Sequence, residues 1–222
     1  ERVLIAGPSG SGKSTLGNCI NGLIPFSYPG EVSGSLVVDG VNAPQSGIFE
    51  LSAHVGTVLQ DPDGQFIGLT VAEDIAFALE NSCTPQKEMH EITRRAAELV
   101  HIEDHLDYAP HELSGGQKQR VSLAGVMVDQ VKILLFDEPL ANLDPAAGKQ
   151  TMELIDDIQR QTDTTVLIIE HRLEDVLWRN VDRIILVDDG EIVADMKPDD
   201  LLSTDLLQKN GIREPLYVTA LR

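Results

Sequence analysis

Long apolar runs and cysteines are scarce in this chain of 222 residues. The longest apolar stretches, such as 133–136 and 166–169, have the length of strands, and none approaches the roughly 20 residues that a membrane-spanning helix needs. We therefore expect any role at a membrane to depend on a partner protein. The two cysteines, Cys19 and Cys83, lie far apart in the sequence, which indicates thiols in a reducing compartment rather than a disulfide framework.

Basic residues are few as well. The chain has 17 lysines and arginines against 36 aspartates and glutamates, a formal net charge of −19. Proteins that bind nucleic acid or anionic lipid need clustered positive charge against the phosphates. The composition therefore argues against nucleic acid as a partner and against direct docking on lipid. With 42% hydrophobic residues, the chain is expected to be globular and soluble in the cytoplasm.

Strand and helix patterns alternate along the chain. Strands are predicted at 2–6, 36–38, 54–59, 131–136, 165–169, 182–187 and 191–195, and helices at 13–21, 71–81, 85–100, 118–128, 145–161 and 172–178. This alternation predicts an α/β fold with a mostly parallel sheet flanked by helices. The stretch from about 61 to 128 is expected to form a helical insert, so that 1–60 and 129–222 build the core of a single domain.

A glycine-rich segment that matches G-x-x-x-x-G-K-[ST] follows the first predicted strand. It consists of Gly7, Pro8, Ser9, Gly10, Ser11, Gly12, Lys13, Ser14 and Thr15. In such a P-loop, backbone N–H groups and the start of the next helix bind phosphates. Lys13 is expected to reach the β- and γ-phosphates and the Ser14 hydroxyl to bind Mg²⁺. A chance Gly/Ser loop is the alternative, and the flanking strand and helix argue against it.

Two adjacent carboxylates end the apolar strand predicted before residue 137. Since ligands bind at the carboxyl ends of parallel strands, Asp137 is expected to organise Mg²⁺ beside the P-loop. Glu138 is the candidate general base for an attacking water. Two acidic residues at a strand end are also typical of a strand that simply ends in solvent, but the P-loop upstream makes that the minor interpretation.

A second glycine-rich segment precedes the helix predicted at 118–128. It consists of Leu113, Ser114, Gly115, Gly116 and Gln117. Ser114 is expected to cap the helix N-terminus, where free N–H groups bind anions. For a bare S-G-G-Q, an ordinary capped helix after a glycine turn is about as good an explanation.

The extended match 113–120, which ends thirteen residues before Ile133, resembles the signature sequence of the ATP-binding cassette (ABC) ATPases. The resemblance covers nearly the whole chain and implies the P-loop NTPase fold of the ABC type. It also implies ATP and Mg²⁺ as cofactors and a head-to-tail dimer with a second ABC ATPase domain. In that dimer each ATP lies between the P-loop of one subunit and the 114–117 segment of the other.

Three further positions match ABC motifs. Gln60 matches the Q-loop glutamine, which contacts Mg²⁺ or the attacking water. Asp144, in the segment 141–144, matches the D-loop that crosses to the opposite monomer. His171 matches the switch histidine that touches the γ-phosphate. Without the other motifs, a histidine at a strand end is more often structural.

Two segments, 60–66 and 70–77, resemble the ATPase components of energy-coupling factor importers of vitamins and transition-metal ions. Segments 22–25 and 211–217 resemble a branch in which two ATPase domains are often fused. The resemblance implies membrane coupling and substrate-binding subunits, with this chain at the cytoplasmic face of the membrane. The alternative is a soluble ABC ATPase of DNA repair or translation, for which coiled-coil insertions, zinc-binding cysteines or basic surfaces are expected.

The resemblance leaves one gap. ABC domains usually supply an adenine-stacking aromatic residue from a strand before the P-loop strand, which here begins at Arg2. That residue and part of the N-terminal antiparallel strands are therefore expected to lie outside this sequence. Elsewhere, Phe66, Ile67 and Leu69 are expected either to form a docking patch or to be core, and Trp178 to be core.

Overall fold

The computed structural model describes residues 1–59, 62–141 and 143–221. Its strands are β1 (Arg2–Ala6), β2 (Val37–Val38), β3 (Val41–Asn42), β4 (Val55–Val58), β5 (Ile133–Asp137), β6 (Thr165–Ile169), β7 (Arg183–Asp188) and β8 (Glu191–Met196). Its helices are α1 (Lys13–Ile20), α2 (Leu23–Phe26), α3 (Ile48–Ser52), α4 (Val71–Asn81), α5 (Gln86–Leu99), α6 (Gly115–Met127), α7 (Pro145–Thr162), α8 (Leu173–Val176), α9 (Pro198–Leu202), α10 (Leu206–Lys209) and α11 (Leu216–Leu221). Of these helices, none combines the length and apolar character that a bilayer crossing requires.

Six strands form one sheet in the order β4-β5-β6-β1-β7-β8. All neighbours are parallel except β8, which runs antiparallel to β7. The strands β2 and β3 form a separate antiparallel pair. The predicted mostly parallel sheet with flanking helices is confirmed.

Hydrophobic clusters cover both faces of the sheet. Leu4 and Phe136 belong to the larger cluster, which helices α4 to α7 complete. Their neighbours Ile5 and Leu135 belong to a second cluster, against which Leu16 and Ile20 of α1 pack. Since successive side chains of a strand point to opposite faces, strands buried on both sides must be apolar throughout. Residues 3–6 of β1 are accordingly apolar and buried, whereas the buried Arg2 is paired with Asp156.

The central strands end at one edge of the sheet, and this edge positions the site. Ile169 of β6 is paired with Ile5 of β1 on one side and with Asp137 of β5 on the other. The residues that follow these strands, including the P-loop, Glu138 and Glu170, therefore leave the sheet side by side, at the edge where α/β proteins bind ligands.

Helices α4, α5 and α6 pack against one another and share the larger hydrophobic cluster with β5. Helix α4 has the predicted bounds because a capping box fixes its start: the Thr70 hydroxyl accepts the N–H of Glu73, and the Glu73 carboxylate accepts the N–H of Thr70. Helix α6 begins at Gly115 rather than at the predicted residue 118, since Ser114 caps it and both glycines join its first turn.

The prediction that Trp178 belongs to the core is wrong, and the helix predicted at 172–178 is only the short α8. The Trp178 side chain is 45% exposed. The guanidinium carbon of Arg179 lies 4.3 Å and the ammonium nitrogen of Lys149 5.4 Å from the centre of its ring. These cation–π contacts stabilise the ring at the surface.

Candidate functional site

The P-loop is shaped by glycines. Gly10 and Gly12 have φ angles of 81° and 102°, a left-handed conformation that side chains disfavour. Gly7 has a different reason to be glycine, because an added Cβ would lie 2.1 Å from the carbonyl oxygen of Val187. The loop therefore follows β1 closely and then turns into α1, whose first residue is Lys13.

Lys13 lies inside the P-loop with only 5% of its surface exposed. Its Nζ donates a hydrogen bond to the carbonyl oxygen of Pro8 at 2.7 Å. Burial lowers the pKa of the ammonium, and the negative charges of Glu138, Asp137 and Glu170 oppose this shift. The lysine is thus held in the loop close to three carboxylates.

Ser14 and Asp137 are brought together from different parts of the chain. The Ser14 hydroxyl donates to Asp137 Oδ1 at 3.1 Å. The pKa of Asp137 is raised, because burial and the charge of Glu138 outweigh the opposing effect of the Ser14 hydrogen bond. A hydroxyl and a carboxylate are the hard oxygen ligands that Mg²⁺ prefers. The pair fits a magnesium ion bound next to phosphates.

The P-loop also holds a buried polar atom without a partner, the hydroxyl oxygen of Ser11. Ser9, Ser14 and Thr15 are exposed. An added Cβ at Gly10 would meet no atom within 4 Å. The loop therefore offers open space and polar atoms of the kind that a phosphate group takes up.

Glu138 follows β5 with a φ angle of 49°, which is uncommon for a residue other than glycine. Its N–H donates to the carbonyl oxygen of Ile169 at 2.9 Å. Its Oε1 lies 3.9 Å from Nδ1 of His171. The strained backbone turns Glu138 out of the strand, and such strain is typical of functional sites. The structure thus places the predicted base beside the predicted switch histidine.

The segment 114–117 forms the N-terminus of α6. The Ser114 hydroxyl accepts the N–H of Gln117, and the Gln117 side-chain oxygen accepts the N–H of Ser114 at 2.8 Å. The predicted helix cap is confirmed. An added Cβ at Gly115 or Gly116 would meet open space. Ser114 and Gln117 form hydrogen bonds with each other, with the Lys118 N–H and with His105. These partners all lie in the same chain, and the space above both glycines stays open to a ligand.

A protein family described as ABC transporter matches residues 1–141. The chain belongs to the ABC transporter family. A second family, described as ATP-binding cassette cobalt transporter, matches residues 204–222. In this ABC chain the P-loop, the 114–117 segment and both carboxylates after β5 all lie within the first match.

Curated relatives match the ABC chain over its whole length. Proteins of Clostridium perfringens and Enterococcus faecalis, both provisionally named as ABC transporter ATP-binding proteins, are 64% and 63% identical over 222 residues. The chain spans 39% of the length of each. A solved structure of CbiO1 from Clostridium perfringens, described as part of the ABC transporter complex CbiONQ, is 31% identical with a TM-score of 0.83. The match covers 100% of this chain and 87% of the CbiO1 chain.

The remaining predicted ABC positions differ in what the structure says of them. Asp144 caps α7, where its Oδ1 accepts the N–H groups of Ala146 and Ala147 at 2.9 and 3.0 Å. Its predicted contact with the opposite monomer stays a prediction. Gln60, predicted to bind Mg²⁺ or water, lies outside the described residues, as does Asn142 of the predicted D-loop.

Two residues of the site were missed in the sequence. Glu170 lies between an apolar strand and His171, and a charged residue at the end of an apolar strand could have indicated a site residue. His105 accepts a hydrogen bond from the Gln117 side chain at 2.9 Å. No local pattern predicts that contact, because twelve residues separate the two.

Proposed function

We propose that this ABC chain binds ATP with Mg²⁺ in its P-loop and hydrolyses the nucleotide to power a membrane importer. The observation that supports this best is the hydrogen bond between Ser14 and Asp137, which unites the P-loop with the acidic end of β5. The buried Lys13 beside them supplies the positive charge that phosphates require.

Each residue of the site has a proposed role. Lys13 and the P-loop N–H groups hold the phosphates. Ser14 and Asp137, together with Gln60, hold the metal ion, which when bound neutralises phosphate charge. Glu138 accepts a proton from the attacking water, and His171 contacts the terminal phosphate. Most of the rate then comes from positioning and charge stabilisation.

Replacing the proposed base tests the catalytic assignment. Glu138→Gln keeps the size of the side chain but removes its ability to accept a proton. We expect the rate of phosphate release to fall by about 10²–10⁴-fold, while the dissociation constant for ATP stays within about threefold. The matched control is Glu91→Gln on the exposed face of α5, which should leave turnover unchanged. Equal turnover in Glu138→Gln and wild type would contradict the assignment.

We further propose that the ATP site is completed by a second ABC domain in a head-to-tail dimer. The helix start at 114–117 has a capping box and open space at both glycines, and a helix N-terminus binds anions. Its own hydrogen bonds stay within the helix and His105. A second domain can therefore bring its P-loop phosphates to this surface.

The importer role is supported by an exposed apolar surface beside the helical segment. Ile67 is 65% and Leu69 81% exposed, and both belong to the loop that precedes α4. The loop is fixed to α4, because the Asp74 carboxylate accepts hydrogen bonds from the N–H groups of Ile67 and Gly68. A rigid loop that presents apolar side chains is typical of a docking surface. We propose that it receives the membrane coupling subunit.

The cargo is proposed from the family matches. The second family is described as a cobalt transporter and CbiO1 as part of the CbiONQ complex, so a transition-metal ion, a vitamin or a vitamin precursor is the proposed substrate class. A separate membrane subunit would select it, with the ABC chain at the cytoplasmic face.

Co-purification from detergent-solubilised membranes tests these partners. We expect the intact protein to be recovered with a coupling membrane protein and a small substrate-binding membrane protein. Leu69→Glu should reduce that recovery at least about tenfold, because a charge in an apolar interface is costly. Ile192→Glu, on the exposed edge strand β8, is the control and should not. Recovery only in the soluble fraction, with ribosomes or DNA, would favour the non-transport alternative.

A further inference from the structure

A third carboxylate lies beside Glu138 and His171. Glu170 follows β6 and its side chain is 0% exposed. Burial raises its pKa, although the backbone N–H and the ring of His171 act in the opposite direction. Carboxylates are rarely buried unless they have a partner. The contacts of Glu170 therefore indicate what it does.

The contacts of Glu170 converge on His171. Its Oε2 accepts the backbone N–H of His171 at 2.8 Å and lies 3.3 Å from Nδ1 of the imidazole. Glu138 Oε1 is farther from the same nitrogen, at 3.9 Å. The backbone of Glu170 is itself fixed, because its N–H donates to the carbonyl oxygen of Ile5 at 3.1 Å. The nearer carboxylate is also the more buried one, since the side chain of Glu170 is 0% exposed and that of Glu138 26%.

The carboxylate of Glu170 contributes little to the stability of the fold. Its second oxygen, Oε1, is buried without a hydrogen-bond partner. An unsatisfied buried polar atom destabilises a protein, so this oxygen adds nothing to the stability of the fold. Positions that weaken the fold in this way are expected at functional sites.

We propose that Glu170 is a positioning residue for His171. Its fixed carboxylate holds the proton on Nδ1 of the imidazole and so leaves Nε2 as the nitrogen that can reach a ligand. The His171 side chain is 52% exposed, which is consistent with one nitrogen held against the protein and the other facing outward. A carboxylate that orients a histidine in this way sets its tautomer. The kinetic part of this proposal rests on the proposed ATPase function.

The kinetic test replaces the charge and keeps the shape. Glu170→Gln retains an oxygen for the His171 N–H, so the protein should fold as the wild type does, which a thermal unfolding curve checks. We expect kcat for ATP hydrolysis to fall roughly 10- to 100-fold, with KM within about threefold. The control is Glu174→Gln, on the exposed side of α8, and its kcat should stay unchanged. An unchanged kcat in Glu170→Gln would overturn the proposal.

A second test does not depend on catalysis. In the nucleotide-free protein, the ¹⁵N shifts of the His171 ring, assigned with a His171→Gln variant, report which nitrogen carries the proton. We expect protonation at Nδ1 in wild type and a shift towards the Nε2–H form in Glu170→Gln. The same ring state in both proteins would overturn the proposal. If wild type hydrolyses no ATP, the proposed function fails, and the nitrogen shifts still decide whether Glu170 positions His171.

Discussion

The buried ion pair between Arg2 and Asp156 leads to a quantitative stability prediction. The Arg2 side chain is 4% exposed, and its Nη2 donates to Asp156 Oδ1 at 2.6 Å. Its guanidinium also donates to Gln159 Oε1 and, at 3.0 Å, to the carbonyl oxygen of Asn180. Because β1 leads directly into the P-loop, these bonds from β1 to α7 hold the strand behind the proposed ATP site.

The variant Arg2→Met fills the same space with an apolar chain and leaves the Asp156 carboxylate with Arg160, whose side chain is 68% exposed. Removing one partner of a buried ion pair costs about 3–5 kcal/mol. Proteins of this size lose about 2–4 °C in melting temperature for each kcal/mol. We therefore expect the melting temperature of Arg2→Met to lie roughly 6–20 °C below that of wild type at pH 7.

The loss should depend on pH with a defined sign. Burial alone would raise the pKa of Asp156, but the hydrogen bond and charge of Arg2, aided by Arg160 and Arg179, outweigh it and leave that pKa lowered. A carboxyl with a lowered folded-state pKa stabilises the fold above its unfolded value, about 3.9. That contribution is lost as the pH falls through the lower folded value. The gap between wild type and Arg2→Met should therefore shrink below about pH 4.

Thermal unfolding followed by circular dichroism at pH 7 and pH 3 measures both effects. The control is Arg183→Met, because Arg183 is 43% exposed and its pair with Asp195 lies at the surface, where such pairs contribute at most about 1 kcal/mol. The reasoning would be refuted if Arg2→Met lowered the melting temperature at pH 7 by less than about 2 °C. It would also be refuted if the difference in melting temperature between wild type and Arg2→Met were the same at pH 3 as at pH 7.

Three further predictions concern the P-loop and the helical segment. Gly7→Ala forces a Cβ against the Val187 carbonyl oxygen, so it should lower the free energy of unfolding by about 1–3 kcal/mol in urea titrations. Lys13→Ala removes the buried ammonium and should weaken ATP binding at least about tenfold by calorimetry. Thr70→Ala removes the cap of α4 and should destabilise the protein by about 1 kcal/mol in urea, with unchanged ATP affinity.

Local patterns predicted much of the fold. β1, β6 and α4 have the bounds expected from the sequence, because each depends on its own residues: the strands contain the continuous apolar runs 3–6 and 166–169, and the T-x-x-E sequence before α4 forms a capping box. The cap at Ser114 was predictable for the same reason. Patterns of this kind need no knowledge of the rest of the chain.

Long-range contacts were not predictable in this way. Arg2 meets Asp156 across 154 positions, and the ring of Trp178 contacts Lys149, which lies in α7. The proximity of Ser14 and Asp137 was expected only because parallel strands end at the same edge of a sheet. The strained backbone of Glu138 and the burial of Glu170 depend on how β5, β6 and β1 lie side by side, which no single segment encodes.

The central claim, an ATP site shared between two ABC domains, is tested most directly by mixing two inactive variants. Lys13→Ala disables the P-loop of one copy. Gly116→Asp places a carboxylate in the first turn of α6, where it suits the helix but repels phosphate, and an added Cβ there meets open space.

Each variant alone should hydrolyse almost no ATP. Mixed in equal amounts, they should recover roughly a quarter of wild-type turnover, because half of randomly formed dimers are mixed and each holds one intact site. A mixture as inactive as its components would contradict a site shared between two copies of this chain, and full turnover by Gly116→Asp alone would contradict a shared site of any kind.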